Sequence, residues 1–267
     1  MDEGIEAESS PRRFTSRTLA GLLALVTPSL PTAAARAEGV APPVFVSVDK
    51  LVRSLESVAS EQERLPFVRA EFAELVRTHG LLDSADVYRA YVRVRMIFEA
   101  AREGGTWRIR WRVTDREPRS DEIWREWRAL RSIPPEREPT ATAECDELAA
   151  LFSFLVRKLG VPETGLFWST RDHAIAVWTA PGTSKKPVRI PVPTSQVGLD
   201  EAETIGTKEV DPWKQKTIYP YSRKDVDDQV TLPGRIATFL VAAARATAVP
   251  RAELDAARNI RVNSFPP

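Results

Sequence analysis

The chain has 267 residues, 43% hydrophobic and 28% charged, with 38 Lys and Arg against 37 Asp and Glu and a formal charge of +1. That is enough apolar material for a packed core, and the charge is too balanced for a strongly basic nucleic-acid binder. The composition also excludes collagen-like, coiled-coil and wholly disordered classes. A single cysteine, Cys145, rules out an intramolecular disulfide framework, and the two histidines, His79 and His173, argue against a His-rich metal centre.

At the start, Arg12, Arg13 and Arg17 precede an apolar run from Leu19 to Leu30, and Ala35-Arg36-Ala37 fits a small-x-small cleavage site. The run is about twelve residues, short of the roughly twenty that a membrane-spanning helix needs. Residues 1–37 are therefore expected to be an export signal, which places the mature protein in the periplasm or outside the cell. The acidic start (Asp2, Glu3, Glu6, Glu8) and Pro28 within the apolar run favour the alternative of a cytoplasmic leader.

Residues 38–47 carry Pro42 and Pro43 and read as a linker. Residues 48–135 are expected to be mainly helical, with one strand. Leu51, Leu55 and Val58 recur at helical spacing over Val48 to Ser60, as do Val68, Phe72, Leu75 and Val76 over Leu65 to His79, where Gly80 supplies a stop. Ser84 to Glu103 makes a third helix through Val87, Tyr91, Val94, Ile97 and Phe98. Trp107, Ile109, Trp111 and Val113 alternate with Arg108, Arg110, Arg112 and Thr114, the period of a half-buried strand. Its arginine row reads as a solvated edge face. Ser120 caps a short helix holding Ile123, Trp124, Trp127 and Leu130, with the tryptophans in the core.

In residues 136–250, a helix is expected from Cys145 to Leu159, with Leu148, Leu151, Phe152, Leu155 and Val156 inward and with Gly160 and Pro162 ending it. Leu166 to Trp168, His173 to Ala180 and Pro187 to Val192 read as strands, and Leu232 to Ala248 as a last helix before the tail at 251–267. This order implies an α+β fold in which a Cys-bearing helix packs on an antiparallel sheet. With Thr142 as N-cap, Cys145 stands third in its helix, where free amides and the helix dipole favour thiolate. Glu144, Asp146 and Glu147 oppose that. On the His173 strand, Ala174 and Ala176 are small enough to let the helix approach closely, and a histidine at the mouth of the strand can meet the helix start.

Cys145, Ala149, Leu151, Leu159-Gly160-Val161-Pro162, His173-Ala174 with Trp178, and Val192-Pro193-Thr194 together resemble the transglutaminase-like cysteine protein superfamily over residues 140–200. The resemblance implies a papain-like core in which Cys145 attacks an amide carbonyl and His173 serves as base and then acid. The family includes peptidases, amide-directed acyltransferases and inactive members. Where it usually has Asp before Pro-Thr, this chain has Val192, which cannot hold an imidazole. Thr194 and Gln196 share strand parity with Val192. The amide oxygen of Gln196 is the substitute candidate for orienting His173, ahead of Asp200.

The expectation is thus an exported protein acting on amide bonds of a protein or peptide substrate, such as a cell-wall peptide, through Cys145, His173 and Gln196. The alternative is a non-catalytic extracytoplasmic binding or scaffold domain on a degenerate version of the same fold. No cofactor, metal, nucleic acid or membrane span is expected. Neither a glycine-rich phosphate loop nor a calcium-loop pattern is present. His79, at a helix end, reads as a partner of the helix dipole.

Overall fold

The computed structural model describes residues 45–102, 105–107, 111–112, 141–142, 145–168, 174–195, 205, 219–220 and 231–256. The segment read as an export signal, that read as a helix after Ser120, most of the arginine row, the residues from 257 onward, His173, Gln196 and Asp200 lie outside these residues. The described residues form an α+β fold.

Three helices come first: α1 (Val48–Gln62), α2 (Pro66–His79) and α3 (Ala85–Ala101). The Ser47 hydroxyl accepts from Lys50 N at 3.3 Å and the Ser84 hydroxyl from Val87 N at 3.3 Å, each satisfying an amide that the first helical turn leaves open. Pro66 suits the first turn of α2, where its missing N–H costs nothing. Gly80 ends α2 at φ 69°, a left-handed conformation that a side chain disfavours.

The linker expectation gives way over β1 (Phe45–Ser47), which pairs antiparallel with β8 (Thr231–Pro233) in the register Val46↔Leu232. The residues carry their own reason: Phe-Val-Ser alternates exposed and buried positions and continues directly into α1. Trp107 is also displaced from the expected strand. It lies in a turn after α3, where its amide donates to Ala100 O and its buried indole N–H donates to Leu240 O at 2.8 Å. Of the expected strand, the described residues include β2 (Trp111–Arg112), parallel to β3 (Ala141–Thr142).

The main sheet has four antiparallel strands in the order β6 (Pro187–Val192), β5 (Ala174–Pro181), β4 (Thr164–Trp168), β7 (Tyr219–Pro220). On one face, Leu166, Ala176, Trp178, Ala180, Ile190 and Val192 join the core formed with α4 (Cys145–Lys158) and the N-terminal helices. On the other, Phe167, Ile175 and Val177 make a separate small cluster. This is the period-two alternation of the β5 sequence realised in space.

Helix α5 (Gly234–Arg245) packs on α1 and α3, so Leu51, Leu55, Val58, Ile236, Leu240 and Ala244 share that core. The turn after α5 is tied down by polar groups. Gln62 Nε2 donates to Ala244 O and to the Thr247 hydroxyl, and the buried guanidinium of Arg95 donates to Thr247 O and Val249 O while pairing with Glu71. The α2 end meets the sheet where Leu82 N donates to Pro181 O and Thr183 N to Gly80 O. Residues 251–256 form a further helical segment.

Candidate active site

Among the described residues helix α4 starts at Cys145, and Thr142 pairs with Arg112 in the strand that precedes it. Residues 143 and 144, which the capping expectation puts in the first turn, lie outside the described residues. From Cys145 the helix runs over the sheet on Leu148, Ala149, Leu151, Phe152, Leu155 and Val156, all buried. Its far end closes through Gly160, at φ 83°, with Val161 N donating to Val156 O at 3.1 Å.

Where the helix start meets β5, the Cys145 sulfur accepts a hydrogen bond from Ala174 N at 3.2 Å. Ala174 and Ala176 are fully buried and small, which lets the helix come this close to the strand. The amide that reaches the sulfur is the one joining Ala174 to His173 in the sequence. Of the three residues expected to form the site, the described residues thus place Cys145, while His173 and Gln196 lie outside them.

Cys145 is half-buried. Burial pushes its thiol above the ordinary range, and the nearby Asp146 carboxylate pushes the same way, against the Ala174 N–H and the amides of the helix start. Of the opposing influences read from the sequence, exclusion of water thus outweighs the amides that favour thiolate. Asp146 and Glu147 are themselves buried, Glu147 completely.

Val192 is fully buried opposite Ala176 and belongs to the α4-facing core. Its side chain brings only carbon to this part of the core. Just beyond it, Thr194 and Ser195 are buried, with hydroxyls that find no hydrogen-bond partner among the described residues. Sequence reasoning gave Thr194 no role. Its parity with Val192 was the available signal.

Among the described residues there is no group of three His, Cys, Asp or Glu side chains placed to hold a metal ion, and no helix long and apolar enough to cross a membrane. A surface cleft of about 460 Å³ lies elsewhere, lined by Glu63, Arg64, Arg69, Asp83, Tyr88 and Arg89 among others. Arg69 is already paired with Asp83, and Arg89 with Asp86, so the cleft offers little unneutralised charge. The chain matches no protein-family model, and neither curated proteins nor solved structures provide a match.

Proposed function

We propose that the protein is an exported, transglutaminase-like cysteine protein with a papain-like core that acts on amide bonds of a protein or peptide. The observation carrying this reading is the hydrogen bond from Ala174 N to the Cys145 sulfur. It joins the start of the cysteine helix to the strand residue that follows the only histidine in this half of the chain.

The chemistry follows from the thiol's surroundings. Burial makes an unaided thiolate scarce at neutral pH, so nucleophilic attack depends on a base that takes the proton. His173 is that base. The thiol proton passes to the imidazole, sulfur adds to the amide carbonyl, and the tetrahedral oxyanion is met by amides at the α4 start. As the C–N bond breaks, the imidazolium returns its proton to the leaving amine, leaving a thioester on Cys145. Water then gives hydrolysis, and an amine gives acyl transfer. Gln196 is the candidate orienting group. No metal or organic cofactor takes part.

A second reading, a non-catalytic binding domain on the same fold, is favoured by Val192, whose side chain cannot orient a base. The two separate in the rate of Cys145 alkylation by iodoacetamide between pH 5 and 10. A working pair shows a plateau between the imidazole range, about 6.5, and the thiol range, and His173→Ala abolishes it. A single rise above pH 9, unchanged in His173→Ala, supports the binding domain and ends the enzyme reading.

A further inference from the structure

Along α3, Tyr91, Arg95 and Glu99 recur every fourth residue and Arg102 follows three later, so all four stand on one side of the helix. Each is at most 5% exposed. Charged side chains buried this deeply require polar partners, and two sets meet them. The first lies within the helical layer. Glu71 on α2 pairs with Arg95 and accepts from the Tyr91 hydroxyl at 3.3 Å, and Glu99 pairs with Arg102 at 2.7 Å. The second comes from the chain after α5. Arg95 Nη2 donates to Val249 O at 2.9 Å, and Arg251 N donates to Glu71 Oε1 at 3.2 Å. Asp255 accepts from Arg102 Nη2 at 3.3 Å and from Arg251 Nε at 3.2 Å.

We propose that residues 248–256 are a strap that opens as a unit from its anchor at Thr247, uncovering the Arg95 and Arg102 guanidiniums of α3. Thr247 is fully buried and is held by Gln62 and by Arg95 Nη1, whereas residues 248–256 are all half-buried or exposed. Apolar burial therefore contributes little to their seat, and a segment attached in this way opens well below the free energy of global unfolding. Opening strands no charge. Arg95 keeps Glu71 and stays over the Phe67 ring at 5.4 Å, Arg102 keeps Glu99 and stays over the Phe98 ring at 5.1 Å, and Asp255 keeps Arg251. The contacts are also interlocked, since Arg251 gives its amide to Glu71 and its side chain to Asp255. Seven residues of helical rise separate the two arginines by about 10 Å, so the open form presents two cations two turns apart.

The test is amide hydrogen exchange of the full chain, followed by NMR for wild type, Asp255→Asn and Glu253→Gln, with the urea midpoint of each. Glu253 is exposed on the same segment, so E253Q removes an equal charge without touching Arg102 or Arg251. In wild type, the Arg251 and Leu254 amides are expected to exchange at least about 10-fold faster than the slowest amides of α3 and α5, at a rate that low urea leaves unchanged. D255N weakens charge-assisted bonds to two arginines and is expected to speed both amides about 5- to 10-fold, with α3, α5 and the midpoint in place. E253Q is expected to match wild type. The proposal is overturned by wild-type exchange at Leu254 that is as slow as in α3 and rises with urea in step with it. It is equally overturned by a D255N rate equal to wild type, by E253Q accelerating as D255N does, or by a D255N effect shared with α3 and α5 or accompanied by a lower midpoint.

Discussion

Replacing Ala176 with leucine tests the close approach of α4 to the sheet on which the candidate site depends. Ala176 is fully buried in the middle of β5, between Leu166 and Val192, and its methyl group faces the α4 layer. Leucine adds three carbons. In open apolar space they would stabilise by about 2 kcal/mol at roughly 0.8 kcal/mol per methylene-sized group. Here the flanking positions are filled by Trp178, Ile190, Val192 and the α4 side chains, so the added volume forces side chains off their rotamers or lifts the helix. Overpacking of this kind costs about 1–3 kcal/mol. For a chain of this size each kcal/mol lowers Tm by roughly 2–4 °C. If the helix lifts, the sulfur also loses Ala174 N, and Cys145 alkylation above pH 9 accelerates as the thiol becomes exposed. The assay is thermal unfolding by circular dichroism beside the alkylation rate. A variant melting at or above wild type would refute the reasoning, because the layer would then have room for an isobutyl group.

Three further outcomes are expected. Arg102 and Glu99 pair at 2.7 Å with only 3% of each side chain exposed, so Arg102→Met strands a buried carboxylate and costs about 3–5 kcal/mol, whereas E99L/R102M recovers most of it; urea denaturation of the three chains checks this. Gly80→Ala places a side chain at φ 69° with only ordinary contact to the Thr183 hydroxyl, so it costs about 1–2 kcal/mol from backbone conformation alone, read as a fall in the urea midpoint. The Cys145 thiol is raised in the folded state, so the unfolded chain releases its proton first, near pH 8.5. Stability relative to Cys145→Ala is therefore full below that pH and declines above it, up to the folded-state value. A wild-type minus C145A difference that stays flat from pH 7 to 10 would contradict this.

The long helices were legible because their signals are local and redundant. In α3, the cap Ser84 and the spacing of Val87, Tyr91, Val94 and Phe98 agree, and tertiary packing had nothing to override. The two faces of β5 were equally legible, since Ala174, Ala176 and Trp178 alternate with Ile175 and Val177. The partners of the outlying strands were not legible, because a strand's periodicity does not say which strand it pairs with. The partner of Phe45–Ser47 is Thr231–Pro233, far along the chain, and that of Trp111-Arg112 is Ala141-Thr142, so neither pairing shows in a local stretch of sequence. At the site, the meeting of Cys145 with β5 followed from small residues and parity. The acidity of the thiol did not, because the sequence shows the helix dipole and the neighbouring charges but not the extent to which water is excluded from the sulfur.

The pairing of Phe45–Ser47 with Thr231–Pro233, together with the seat of α5 on α1, has a consequence for biosynthesis. A nascent chain presents the apolar stripe of Leu51, Leu55 and Val58 well before the residues that cover it, Ile236, Leu240 and Ala244, are translated. Helix α1 thus waits through that stretch of elongation with its greasy side uncovered, and this part of the core closes only when α5 has emerged from the ribosome.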